Sequence, residues 1–385
     1  MNRQTIGIIL NGVTGRMGYR QHLVRSILAI RDEGGLALAD GSRIQLRPVL
    51  VGRNKDKLQR IAFLHGIDEY TTDLDEALAD PGFDIYADFL LTNARVPALR
   101  KAMAAGKALY SEKPTAETHA EAAELAEEVE NAGLHNGVVH DKLYLPGLLK
   151  LKRLVDSGFF GRVLSVRGEF GYWVFEGDWQ SSQRPSWNYR AEDGGGIVVD
   201  MFPHWNYVFE HLFGSVRSVY AHTATHIPQR VDEQNRTYDT TADDAAYAIF
   251  EVGDGTVVQM NSSWCVRVNR EELVEFQVDG THASAVVGLF NGHVQPREIT
   301  PRPVWNPDLA DTHDYRSDWA PVPDNAEYGN GFRAQWEEYL RDYIAGTPHR
   351  FDFASAARGV LLAERALESD RTGRRIDLGG KTEAR

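Results

Sequence analysis

The stretch over 6–18, IGIILNGVTGRMG, limits what this chain can fold into more than any other. Ile6, Ile8, Ile9 and Leu10 form a short apolar run, rich in β-branched residues and too short for a buried helix. It reads as a buried strand. Glycines follow at 12, 15 and 18, and residues 19–30 then repeat apolar side chains at helical spacing: Leu23, Ile27 and Leu28 share a face, with Val24 beside it. Strand, glycine turn and helix form the opening of a βαβ unit that binds a dinucleotide. There the turn must be tight, a diphosphate must approach bare backbone, and the helix must pack close to the strand. The helix N-terminus adds free N–H groups and a positive dipole end. The spacing is G-x-x-G-x-x-G rather than G-x-G-x-x-G, and a tight turn that binds nothing is the competing interpretation.

At 385 residues the chain is long enough for two domains with sizeable cores. A net charge of −13 with no long basic run argues against a nucleic acid or an anionic membrane as partner. It leaves room for an anionic cofactor, which needs only a local positive patch. Cys265 is the single cysteine, so no intrachain disulfide forms, and its flank SSWCVRV reads as a strand with a buried structural thiol. No signal peptide and no run of membrane-spanning length is present, so the expected location is the cytoplasm.

Strands and helices alternate over the first 140 residues or so. Strands are expected over 47–52, 84–91, 108–111 and 137–140, and helices over 58–64, 74–78 and 96–105. Thr118 and Glu121 form a capping box for a further helix to about Asn131. The glycine-rich 31–45 suggests an insertion hairpin. This alternation specifies a parallel, doubly wound α/β sheet, a Rossmann domain over 1–141. Beyond Asp141 a helix over 147–157 precedes longer strands over 163–170, 217–224, 245–252, 256–263 and 273–279. They imply a mostly antiparallel sheet with one open face, in a second α/β domain over 142–385 that binds substrate and oligomerises. Six prolines between 296 and 323 make that segment a long loop or arm, and helices follow over 332–345 and 353–369, the second ending in a polar tail.

Three stretches could carry chemistry. Glu112-Lys113-Pro114 closes a parallel strand, the end of such sheets where ligands bind, although a surface turn set by Pro114 gives the same pattern. Asp200 and His204, in GGGIVVDMFPH, share a helix face four residues apart, with Pro203 tolerated in a first turn. A carboxylate beside an imidazole suits proton transfer near neutral pH. A plain salt bridge or a metal pair would use the same two residues, but no third ligand stands at a fitting spacing, and no metal is expected. The stretch 170–189 holds Trp173, Trp179 and Trp187 with Tyr172 and Tyr189. Aromatic rings beside Arg, Asn and Asp suit the faces and edges of a sugar, and they suit a subunit interface equally.

The glycine turn, the EKP tripeptide, the glycine-led D-x-x-x-H and the closing GF…QWEEYL…ESDRTGRRIDL together resemble the glucose–fructose oxidoreductase/inositol dehydrogenase (Gfo/Idh/MocA) family, over nearly the full chain. The resemblance implies an N-terminal Rossmann domain and a C-terminal domain with an open, mostly antiparallel sheet. It implies oxidation or reduction of a hydroxyl of a sugar, glycoside or cyclitol with NAD or NADP, by a homodimer or homotetramer. Lys113 would polarise the reacting oxygen, His204 would act as acid/base, and Asp200 would position substrate and tune His204. The cofactor would be held by Gly12, Thr14, Gly15, Arg16, Met17, Arg53, Asn54, Thr92, Asn93, Glu112, Lys113 and His140. The substrate would be held by Lys142, Tyr172, Trp173, Trp187, Tyr189, Asp200 and His204. A glycosidase with tightly bound NAD and a dinucleotide-binding sensor are the alternatives. The chain departs from the family pattern at Val96, near a place often held by histidine, and at Leu143, a place often held by arginine.

Cofactor choice is legible after the second strand. The residue there is Arg53, not Asp or Glu, with Lys55 and Lys57 close behind and Asp56 past the turn as a helix cap. An arginine in this position accommodates a 2′-phosphate, which favours NADP slightly, although stacking on adenine would serve NAD as well.

Overall fold

The computed structural model describes residues 5–267, 271–300, 308 and 314–379. The chain forms two compact units, Met1–Tyr144 with Gly329–Leu361, and Leu145–Tyr328 with Leu362–Arg385. The segment 142–385 is therefore not one unit.

In the first unit, β1 (Thr5–Asn11) runs into α1 (Gly18–Leu28), wound as a π-helix and continued as α over Ala29–Asp32. The glycine-rich insertion is a hairpin, β2 (Leu36–Ala37) pairing antiparallel with the start of β3 (Arg43–Val51). Then come α2 (Lys55–His65), β4 (Tyr70–Thr71), α3 (Leu74–Ala79), β5 (Ile85–Asp88), α4 (Thr92–Ala104), β6 (Ala108–Ser111), α5 (His119–Asn131) and β7 (Asn136–Val138). Strand β1 lies between β3 and β5, with β6 and β7 beyond β5 and β4 on the far side of β3, all parallel. This is the doubly wound order, and it reverses between β1 and β5.

Side chains of β1 alternate between two cores. Ile6, Ile8 and Leu10 pack with Leu23 and Ile27 of α1, and Ile9 packs with Leu78, Leu99 and Leu125 of α3, α4 and α5. The helix Gly331–Ala345 places Phe332, Trp336, Tyr339 and Leu340, one helical face, in the first of these cores. Phe353, Ala356, Ala357 and Val360 fill the second. That burial is why these residues fold with the N-terminal sheet.

In the second unit, α6 (Pro146–Asp156) precedes β8 (Val163–Phe170), and α7 (Ile197–Leu212) precedes β9 (Val216–Ala224). A small hairpin, β10 (Gln229–Val231) with β11 (Thr237–Asp239), leads to β12 (Ala245–Val252), β13 (Thr256–Ser263), β14 (Val274–Gly280), β15 (Ala283–Val287), β16 (Gly292–Pro296), β17 (Ala320–Pro321) and β18 (Ile376–Asp377). The large sheet runs β17-β16-β15-β14-β8-β13-β12-β9-β18, antiparallel except for β13 beside β8. Helix α7 covers β9, β12 and β13, and α6 covers β15 and β16. On the other face Leu164, Tyr220, Tyr247, Ile249 and Val257 are exposed. The open, mostly antiparallel sheet expected from the sequence is present.

Some expectations shift. The strand expected over 84–91 stops at Asp88, and Thr92 and Asn93 open α4 instead of closing the strand, with Pro97 inside the helix. Pro203 lies in the second turn of α7 rather than the first. Asn54, not Asp56, caps α2, its side chain accepting from the Lys57 N–H at 2.9 Å. The polar tail holds β18. Strands β15 and β16, not expected, are short and alternate apolar residues with Ser, His and Gln. Of the proline-rich segment, Pro301, Pro303 and Pro307 lie outside the described residues; the rest includes short turns at Arg297–Ile299 and Tyr315–Asp318. Among the described residues no helix is long and apolar enough to cross a membrane.

Candidate active site

At the point where the first sheet reverses, Asn11 and Asp88 stand in register at the ends of β1 and β5. Gly12 follows with φ +84°, and a Cβ there would lie 2.8 Å from the Phe89 backbone, so only glycine passes. A Cβ on Gly18 would lie 2.8 Å from the Gly12 carbonyl oxygen, which keeps α1 tight against the turn. Thr14, Gly15 and Arg16 line a groove of about 330 Å³ with Tyr19, Arg20, Lys57 and Ile61. The Lys57 ammonium donates to the Thr14 carbonyl at 2.6 Å. A bare-backbone turn, a helix N-terminus and three cationic side chains fit a dinucleotide diphosphate. Met17 packs partly buried against the core, and Arg53 and Asn54 are exposed beyond β3.

A buried network ties this turn to the EKP loop. The Asn11 amide donates to the Tyr86 hydroxyl at 2.8 Å, which donates to Asp88 Oδ2 at 2.7 Å. Asp88 Oδ1 accepts from Arg95 Nε at 3.0 Å and from the Leu90 N–H at 3.1 Å. Arg95 also donates to the Leu90 and Pro114 carbonyls. Burial pushes the Asp88 carboxyl upward, against the pull of Arg95. The Glu112 N–H donates to the Asp88 carbonyl at 3.0 Å, and the Lys113–Pro114 peptide is cis.

Glu112 is buried. Its Oε1 meets His22 Nε2 at 2.9 Å and its Oε2 accepts from the Lys113 N–H at 3.3 Å. Burial by itself would raise this carboxyl. The His22 hydrogen bond, with the charges of Lys113 and Arg95, turns the shift downward, so Glu112 is held ionised.

His140 lies two residues past the end of β7, buried, stacked on Phe351 at 4.9 Å, with Nδ1 2.8 Å from the Val138 carbonyl. Lys142 sits in the turn Asp141–Tyr144, its ammonium 3.4 Å from Asp141. Val96 and Leu143, the two departures from the family pattern, are core residues.

In the second unit Asp243 holds the start of α7: its Oδ2 accepts from the Val198 N–H at 2.8 Å and its carbonyl from the Ile197 N–H at 2.9 Å. Asp200 lies in the first turn of α7, with Oδ2 2.7 Å from Arg184 Nη1. His204 is buried one turn on, its Nδ1 2.6 Å from the Tyr207 hydroxyl. Trp173 and Trp187 are exposed, and Tyr172 is half-buried against Trp173. Tyr189 does not share that surface. It is 1% exposed, its hydroxyl donating to the Phe175 carbonyl at 2.7 Å and its ring beneath the Arg230 guanidinium at 4.2 Å. The hydroxyl finds its partners inside, so the ring packs as core.

Arg230 and Asp244, both fully buried, pair at 3.0 Å beside Cys265, whose thiol burial pushes up to about 12. Cys265 lies just past the end of β13 and is half-buried, not in a strand and fully buried as its flank suggested. Among the described residues the acidic and imidazole groups that converge are Glu338, Asp342 and His349, within 4.8 Å; Glu338 is taken by Arg350 and Asp342 by His349. Asp200 and His204 do not belong to that group.

Sequence reasoning did not reach His22, Arg95, Arg184, Tyr207 or Trp336. Only Tyr207, at helical spacing from His204, left a signal. Arg95 pairs with Asp88 seven positions back across the strand-to-helix turn, a spacing that marks neither element, and the others act across longer sequence separations.

A turn-bound dinucleotide cradle, an EKP loop at the carboxyl end of a parallel sheet and a D-x-x-x-H helix on an antiparallel sheet define an oxidoreductase architecture. Residues 148–286 match the GFO/IDH/MocA C-terminal domain. The D-xylose dehydrogenase of Paenarthrobacter nicotinovorans is 60% identical over 377 residues, 97% of each chain. Levoglucosan dehydrogenase in complex with NADH and levoglucosan superposes with a TM-score of 0.79 at 21% identity, covering 98% of this chain and 100% of that one. An oxidoreductase domain protein from Kribbella flavida superposes with a TM-score of 0.78 at 19% identity, over 99% and 100%. The chain belongs to the Gfo/Idh/MocA family and is an oxidoreductase.

Proposed function

We propose that this protein is an NAD(P)-dependent sugar dehydrogenase that oxidises a hydroxyl of a monosaccharide, with D-xylose as the first candidate. The observation that carries this reading is 60% identity across 97% of both chains with a D-xylose dehydrogenase. The EKP and D-x-x-x-H motifs, which resemble the family's, supply the roles given to Lys113, Asp200 and His204. A bound nicotinamide cofactor would supply the hydride acceptor or donor. The glycine turn with Thr14, Arg16 and Met17 would hold its diphosphate side, Arg53 and Asn54 its adenosine side, and Thr92, Asn93, Glu112, Lys113 and His140 its nicotinamide side. Lys113 donates a hydrogen bond to the reacting oxygen. His204 accepts the hydroxyl proton at Nε2, with its Nδ1–H donating to the Tyr207 hydroxyl, 2.6 Å away. Asp200, set by Arg184, accepts from substrate hydroxyls, and Lys142, Tyr172, Trp173 and Trp187 complete the sugar contacts.

NADP is the favoured cofactor, since Arg53 is exposed and directly follows Gly52 at the end of β3. The protein works in the cytoplasm as a homodimer or homotetramer joined through the open sheet face. The test is a rate screen of D-xylose, other monosaccharides, glycosides and inositols with both cofactors. Net formation of reduced cofactor with a monosaccharide supports the reading; no reduction with any of them overturns it.

A further inference from the structure

His22 is fully buried in the first unit, stacked on Phe89 with centroids 4.0 Å apart and edged by Phe332 at 5.2 Å. Both of its ring nitrogens are engaged. Trp336 Nε1 lies 3.0 Å from Nδ1, and Glu112 Oε1 lies 2.9 Å from Nε2. An indole N–H can only donate, so Nδ1 holds a lone pair and the ring proton sits on Nε2, donated to Glu112. An imidazolium would set one N–H against another. The far oxygen of Glu112 accepts the Lys113 N–H at 3.3 Å. The chain of bonds therefore runs from Trp336 through His22 and Glu112 to the backbone of Lys113.

An apolar core would join α1 to the helix Gly331–Ala345 without a buried imidazole and carboxylate, whose desolvation is costly unless every polar atom is matched. Matching here fixes direction: one donor, one tautomer, one carboxylate orientation. We propose that Trp336 and His22 form a fixed-tautomer relay that positions Lys113 through Glu112. The relay rests on the reading of Lys113 as the group that polarises the reacting oxygen. His22 and Trp336 are positioning residues in it and touch neither substrate nor cofactor.

The test has a spectroscopic and a kinetic arm, both on the full chain. ¹⁵N NMR of the His22 ring, assigned by its loss in His22→Gln, is expected to show Nε2 protonated and Nδ1 bare; the opposite tautomer or an imidazolium overturns the relay. With the sugar and cofactor that support turnover, Trp336→Phe and His22→Leu should lower kcat roughly 10- to 100-fold while KM and cofactor Kd stay within about twofold, as expected for misplacement of a positioned group. His22→Gln, whose amide offers one acceptor and one donor, should recover most of what His22→Leu loses. Equal losses for Gln and Leu overturn the relay, and this pair decides it even if Trp336→Phe does not fold. Lys113→Met runs alongside. If it abolishes turnover while Trp336→Phe and His22→Leu match the wild type, the relay falls and the catalytic reading stands. If Lys113→Met itself matches the wild type, both fall.

Discussion

Arg184 reaches Asp200 with Nη1 2.7 Å from Oδ2, and its guanidinium lies over the Phe175 and Trp264 rings at 5.1 and 4.7 Å. The rings fix the plane of the cation, and the cation fixes the carboxylate in the first turn of α7. Arg184→Leu removes this ion pair from a partly buried carboxylate. It should cost about 1–3 kcal/mol in a denaturant titration, the scale of a hydrogen bond to a charged group, and raise the sugar KM. Asp200→Asn keeps an acceptor facing Arg184 and should destabilise less. Equal midpoints for the two variants would contradict the arrangement.

Glu112 gives a pH signature. Its folded-state value lies below the ordinary 4.5, so its ionised form stabilises the fold. That stability is fully present above about pH 4.5 and is lost as pH falls through the folded value. Unfolding free energy of the wild type should therefore fall more steeply below about pH 5 than that of Glu112→Gln. Parallel curves would show that Glu112 is not held ionised.

The open face of the second sheet pairs Tyr220 on β9 with Ile249 on β12, both exposed, beside Tyr247 and Val257. A contiguous apolar patch of this kind on a sheet marks a protein contact. Light scattering should show a dimer or tetramer, and Ile249→Asp should shift it toward the monomer. A wild-type monomer at working concentration would contradict the assembly.

The proposed preference for NADP rests on Arg53. If it reads a 2′-phosphate, NADP binds more tightly than NAD, and Arg53→Ala weakens NADP selectively. Equal affinities, or tighter NAD, in titrations of the cofactor-free protein would assign Arg53 to adenine stacking.

Much of this was legible in the sequence because the signals are local. The glycine turn, the Thr118 cap and the alternation in β8, β12 and β13 each sit within one element, where periodicity and capping act. The hidden parts arise from tertiary packing. The helix Gly331–Ala345 shows an apolar face but not which sheet it covers, and so the relay from Trp336 to His22, across 314 positions, has no sequence signature. Tyr189 shows the converse: an aromatic among sugar-binding residue types, drawn inside because Phe175 offers its hydroxyl a carbonyl. Arg95 reads as a surface helix residue until Asp88 is seen to neutralise it.

In the proposed mechanism His204 exchanges the proton of the oxidised hydroxyl. Single-turnover and steady-state rates of His204→Ala, measured with its cofactor Kd, test it most directly. The expected fall in kcat is about 10²–10⁴-fold, the contribution of general acid–base catalysis, with cofactor affinity essentially unchanged. Turnover equal to the wild type would contradict it.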